Sequence, residues 1–177
     1  MNSFYESLNI GEQGEEAVKE LFARNGFTCR DLTHVKEWQD KDTDFEFSNE
    51  HGSIHVEAKA DSKPYPNFLI ETCANDNKNT KGWIFKTQAD YITLYKAPSQ
   101  KLYFFYADLL KQYVEERCID LKTYVKPYIC RYGYTYGDGR NLLYKSYNIQ
   151  ISLKELRDAN ILFYVHDMSS DTGRTLN

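Results

Sequence analysis

Two short stretches in the first third of the chain hold the side chains with the most chemistry in them. In His55-Val56-Glu57-Ala58-Lys59, alternation along a strand puts Glu57 and Lys59 on one face and Val56 and Ala58 on the other. In Thr43-Asp44-Phe45-Glu46-Phe47 the same rule sends Phe45 and Phe47 into a core and Asp44 the opposite way. If the two strands pair as a hairpin, one face gathers two carboxylates and an ammonium. Carboxylates that close repel each other, so the arrangement favours a bound cation, and oxygen donors suit magnesium or manganese better than zinc. Asp42 competes with Asp44 for this position, but the phase against Phe45 and Phe47 favours Asp44.

A third carboxylate lies upstream. At about 100° per residue, Glu15 projects within roughly 60° of Val18 and 20° of Phe22, on the apolar stripe of a helix. A carboxylate there either reaches the edge of the stripe or meets a partner. Gly11, one turn earlier on the same face, leaves room for something large to approach.

These side chains must be positioned by the elements around them. Val18, Leu21 and Phe22 predict a helix from Glu12 to Asn25, closed by Gly26. Strands are expected over 43–47 and 53–60, joined by the turn-rich Ser48-Asn49-Glu50-His51-Gly52, with a third over 67–72. Asp31 to Lys41 reads as a loop. Thr87-Gln88-Ala89-Asp90 has the pattern of a capping box, predicting a helix near 88–96. Further along come a strand over 102–106, a helix after Asp108, a short helix capped by Ser152 and a strand over 161–165. The expectation is one α/β domain over 1–167, a central mixed sheet flanked by helices, followed by a polar tail over 168–177.

Composition narrows the classes. Hydrophobic residues at 41% and charged residues at 27% exclude a disordered chain. No apolar run approaches the roughly 20 residues that span a bilayer, and the start lacks the basic and apolar regions of a secretory signal; both point to a cytoplasmic protein with no membrane partner. Cys29, Cys73, Cys118 and Cys130 form no CxxC pair, and His34, His51, His55 and His166 show no metal spacing. The net charge of −4 is unexpected for a polyanion-binding protein. The acid, however, is concentrated: the first 61 residues hold fourteen acids and six bases, whereas 62–147 is basic on balance. Ten of the fifteen tyrosines fall between Tyr103 and Tyr147, several in the segment from Arg131 to Arg140, where they either stack on bases or cover a small core.

Taken together, the ordered set resembles the PD-(D/E)XK nucleases. Gly11-Glu12-Gln13-Gly14-Glu15 through Asn25-Gly26-Phe27 is similar to the first helix of archaeal Holliday junction resolvases. Asp44 followed by Glu57-Ala58-Lys59 is similar to that family's D…E-x-K core. Asn67 to Glu71, Gly82-Trp83 and Thr87 to Tyr91 resemble nucleases of this fold from bacteriophage genomes. The likeness covers roughly residues 11–95, and Thr43 stands where the family's nominal proline would be. It implies a restriction-endonuclease-like fold and a magnesium-dependent DNA endonuclease, with manganese as substitute. Asp44, Glu57 and the Ala58 carbonyl would hold the metal, Glu15 would complete the shell, and Lys59 would orient the attacking water. Lys36, Lys63, Glu71 and Gln88 are secondary candidates for contacts to DNA. A two-fold homodimer would suit cutting of both strands. The rival implied by the same fold is a catalytically silent binding protein, such as a phage-encoded inhibitor, favoured by the acidic balance and the many tyrosines.

Overall fold

The computed structural model describes residues 2–137 and 141–173. The first helix, α1 (Asn2–Arg24), begins earlier than its apolar periodicity requires and ends as the sequence predicts. Gly26 takes φ +80°, the Phe27 N–H bonds the Phe22 carbonyl and the Gly26 N–H bonds Ala23. The Phe22 and Phe27 rings meet edge to face at 5.3 Å, completing a left-handed C-terminal cap with its apolar contact. The chain continues through β1 (Thr28–Asp31), the single turn α2 (Lys36–Gln39), β2 (Phe45–Asn49) and β3 (Gly52–Asp61). A two-residue turn, Glu50-His51, joins β2 to β3, since Asn49 pairs with Gly52. Then follow β4 (Asn67–Asn75), β5 (Thr80–Lys81), β6 (Tyr91–Lys96), β7 (Lys101–Tyr106), α3 (Ala107–Glu115), β8 (Cys118–Asp120), β9 (Thr123–Tyr124), β10 (Cys130–Tyr136), β11 (Leu142–Ser152), α4 (Leu153–Asp158) and β12 (Leu162–Asp167).

The chain groups into two compact units. The first comprises residues 1–65, 88–107 and 162–177. Its six-stranded mixed sheet has the order β1-β2-β3-β6-β7-β12, with β3 and β6 parallel and every other pair antiparallel. The fold is therefore α/β with a mixed sheet. The helix α1 lies on one face of this sheet, where Val18 and Leu21 pack with Phe45, Phe47, Val56, Tyr95 and Leu102. Approach is close at Gly14, where a Cβ would come within 2.9 Å of the Ala60 Cβ, so only glycine lets the helix sit this near the sheet.

The second unit comprises 66–87 and 108–161. Its four-stranded antiparallel sheet runs β10-β11-β4-β5, over a core that includes Phe68, Ile70, Ile149, Ile151 and Leu156. Gly82 crosses β4 so closely that a Cβ would lie 2.2 Å from the Glu71 carbonyl oxygen.

Three expectations need correction. The segment near 88–96 is the strand β6 and not a helix. Its residues 92–96 are buried on both faces, so the run lacks the alternation of a half-exposed strand and mimics helical spacing. Asp90 caps no helix: its Oδ2 accepts the His55 N–H at 2.7 Å. The strand expected over 67–72 extends to Asn75 and pairs with β11 in the second sheet, outside the sheet that holds β2 and β3. The expected loop 31–41 contains the turn α2. Of the expected tail, 168–173 forms 3-10 turns and 174–177 lie outside the described residues, as do 138–140 of the tyrosine-rich segment. No helix among the described residues is long and apolar enough to cross a membrane.

Candidate metal-dependent active site

The site is assembled where β2 begins beside the middle of β3. The last ladder pair is Phe45 with Val56, and continuing that register one step places Asp44 across from Glu57. Backbone bonds pin Asp44 from both sides: its N–H donates to Val56 O (3.1 Å) and its carbonyl accepts from Leu32 (2.8 Å). Its carboxylate turns in along the sheet, Oδ2 accepting the Ala58 N–H at 2.8 Å. The Ala58 carbonyl lies on the same edge of β3 as that N–H, past the end of the β2 ladder and on the side of Asp44.

Alternation on β3 is as the sequence predicts. Val56, Ala58 and Ala60 pack toward α1, so Glu57 and Lys59 stand on the opposite face. Glu57 is registered against Ile92 and Lys59 against Leu94 on β6, both buried. In this apolar setting Glu57 is 1% exposed. Its Oε1 is paired with the Lys59 ammonium, while Oε2 is buried and meets no hydrogen-bond donor. Burial raises the Glu57 carboxyl to about 7, with the Asp44 and Asp42 charges adding to the rise and Lys59 opposing it. For Lys59, burial works against the charge, but Glu57, Asp44 and Asp42 together hold its ammonium above the ordinary lysine range.

Glu15 stands on α1, which packs on the sheet face opposite to Glu57 and Lys59. It is half-buried on α1, and burial followed by the Asp44 charge raises its carboxyl, with Lys19 opposing. Asp44 is thus the shared neighbour, felt by Glu15 on one side and by Glu57 and Lys59 on the other.

The secondary candidates are scattered. Lys36 is exposed on α2 and pairs with Asp40 at 2.6 Å. Lys63 is exposed just after β3, its N–H on Asp61 Oδ1. Gln88 is exposed, its N–H donating to Lys41 O at 3.0 Å. Glu71 lies on β4, in the second unit. Sequence reasoning named Asp42 only as a rival of Asp44 and missed two further neighbours of the core set, His55 and Asp61. Asp42 is held at φ +41° and its charge bears on both Glu57 and Lys59. His55 donates its N–H to the Asp90 carboxylate and accepts the Asp90 N–H at its carbonyl, and its ring stacks on Trp38 with centroids 4.5 Å apart. Asp61 forms an ion pair with the buried Lys96 of β6. Asp42 and Asp61 were signalled by i+2 spacing, Asp42 to Asp44 and Lys59 to Asp61.

Among the described residues no three of His, Cys, Asp and Glu converge as a ready-made metal cluster. A cavity of about 350 Å³ on the α1 face, lined by Phe22, Phe27, Ile54, Tyr91, Phe104 and Phe163, contains none of these groups. No family profile, curated protein or solved structure matches the chain.

Proposed function

We propose that the first unit is a restriction-endonuclease-like domain whose Asp44, Glu57 and Lys59, with Glu15, form the active site of a magnesium-dependent DNA endonuclease. The observation that carries this reading is Glu57 Oε2, a carboxylate oxygen buried without a donor within electrostatic reach of two further carboxylates and an ammonium. Leaving a buried acceptor unpaired costs about 1–3 kcal/mol, and a hard cation would satisfy it with a donor set made of oxygens. Asp44, Glu57 and the Ala58 carbonyl would hold that cation, with Glu15 adjoining, and when bound it would polarise a phosphodiester and acidify a coordinated water.

The chain's own groups have distinct parts in this chemistry. Asp44 is fixed by three hydrogen bonds through its N–H, carbonyl and Oδ2, so its position is set before any ligand arrives. Glu57 must lose its proton to serve, and its raised pKa places that loss near neutrality. The Lys59 ammonium has three N–H donors. Ion-paired with Glu57, it would orient a water or a phosphate oxygen and offset charge that develops as the phosphodiester is attacked.

Incubation of plasmid DNA with the protein in magnesium, manganese or EDTA tests the reading. Nicking that needs a divalent cation and disappears in Asp44→Asn and Glu57→Gln supports it; wild-type protein inert under both metals sinks it. The second reading, a nuclease-fold protein that binds without cutting, is favoured by the closed Glu57–Lys59 pair. It becomes the better account if wild type and Lys59→Ala behave alike in every nicking assay.

A further inference from the structure

We infer that β10 and β11 carry a second nucleic-acid surface, a ladder of tyrosine rings on which successive bases of a single DNA strand stack. Tyr132, Tyr134 and Tyr136 occupy alternate positions of β10, an edge strand, and so share one face. They are 52%, 51% and 56% exposed, far too open for side chains that cover a core. Adjacent ring centroids are 6.3 Å apart, Tyr134 and Tyr136 lying within 29° of parallel. Tyr147 of β11 props Tyr132 edge-on at 5.0 Å. The Lys145 ammonium, on the residue paired with Tyr134, lies 5.5 Å from the centroid of the Tyr132 ring.

Charge chooses the class of partner. Neither β10 nor β11 contains an aspartate or glutamate, and Lys145 of β11, paired with Tyr134, adds a positive charge on the tyrosine face. Asp76, the acid bonded to this hairpin, has its Oδ1 engaged by the Lys145 N–H. The second unit as a whole has twelve Lys and Arg against nine Asp and Glu, in contrast to ten against seventeen in the first. A row of aromatic rings without acids in a basic unit suits a polyanion with flat faces.

Spacing then chooses the form. Stacked bases in a duplex rise by about 3.4 Å, roughly half the ring spacing, and they cover one another's faces. Only a strand whose bases are drawn apart can offer one base to each ring. The choice of DNA over another flexible nucleic acid rests on the cleavage reading above; the platform itself does not.

Fluorescence anisotropy of a labelled oligothymidylate in EDTA reads this surface with cleavage switched off. Wild type should bind it more tightly than a duplex of equal length. The triple variant Tyr132→Ala, Tyr134→Ala, Tyr136→Ala should lose at least about tenfold in affinity, as expected for lost base stacking. The triple Tyr→Phe variant should bind within about threefold of wild type, because the ring faces remain. Unchanged affinity in the triple alanine variant, with its melting curve intact, overturns the proposal and assigns the tyrosines to a protein partner; preference for the duplex, or for RNA of the same sequence, overturns it too. Ring-dependent binding by a protein that never nicks DNA would leave this inference standing and remove the cleavage reading.

Discussion

The interior strands β3 and β4 each bury a polar side chain, Glu57 at 1% exposure and Thr72 at 0%, and their surroundings treat them in opposite ways. The Thr72 hydroxyl is saturated: it lies 2.7 Å from Leu121 O, 2.6 Å from the Tyr124 hydroxyl and 3.2 Å from Tyr147 O. Glu57 has one oxygen on Lys59 and the other on nothing. A satisfied polar group in a core fixes one arrangement of its neighbours, whereas a half-satisfied carboxylate is a standing cost. The same contrast recurs around Glu155, whose Oε1 takes hydrogen bonds from both Tyr113 and Tyr128 in the second unit. In the second unit the buried Thr72 hydroxyl is satisfied, whereas in the first one Glu57 oxygen is not, and on the reading proposed above that oxygen is kept for a ligand.

The largest test of that contrast is catalytic. Asp44→Asn and Glu57→Gln should abolish metal-dependent nicking, with a loss exceeding the roughly 10²–10³-fold expected when Lys59→Ala removes a donor that acts as charge develops. Thr72→Val should leave the nicking rate within about twofold of wild type. Equal losses from the Glu57 and Thr72 variants would erase the distinction, and supercoiled-plasmid assays at fixed magnesium measure it.

Next in size is a pH effect on stability. The folded protein raises Glu57 from an ordinary carboxyl value to about 7, so it keeps a proton that the unfolded chain has released. Stability from this group is therefore full below about pH 4.5 and falls until about pH 7, by an amount on the order of 3 kcal/mol. Glu57→Gln lacks the titration. Urea melts at pH 5 and pH 8 should show the variant gaining on wild type as pH rises. Magnesium added at pH 8 should stabilise wild type and leave the variant where it was. A gap independent of pH would mean that Glu57 is ionised in the fold at no cost.

Thr72→Val should destabilise by about 1–3 kcal/mol, since it leaves the Tyr124 hydroxyl and two carbonyls short of a partner in a dry setting. No part of that loss should vary between pH 5 and pH 8, because none of these groups titrates there. A pH-dependent loss would show that the second unit, too, holds a strained ionisable group.

How much of this could be read in the sequence follows from which contacts are local. Alternation in His55-Val56-Glu57-Ala58-Lys59 and the Gly26 cap are properties of adjacent residues, and both are found where they were expected. The apolar run of β6 has no such local signature, because its face is decided by pairing with β3 at a separation of some 35 residues. The same non-local register brings Lys96 to Asp61 and Asp90 to His55. The two units were hidden for a related reason: the chain passes between them near residues 65, 87, 107 and 161, so no single linker marks a boundary, and the shift from acid to base after residue 61 flags only the first crossing.

The smallest effect expected is at Lys36, and it sharpens the comparison because it separates binding from both chemistry and folding. Its ammonium is 80% exposed and paired with Asp40 one turn along α2. An exposed pair of this kind contributes about 0.5 kcal/mol or less, so Lys36→Ala should barely move a melting curve. If Lys36 also meets a phosphate, each such contact adds about 0.9 to the slope of log affinity against log salt. Lys36→Ala should then weaken DNA binding at low salt, lose its effect as salt rises and leave the nicking rate at saturating DNA unchanged. Lys63→Ala, just beyond β3, should behave in the same way, and the double variant should lower the slope by about twice as much. A salt slope equal to that of wild type in the double variant would mean that neither lysine touches the backbone.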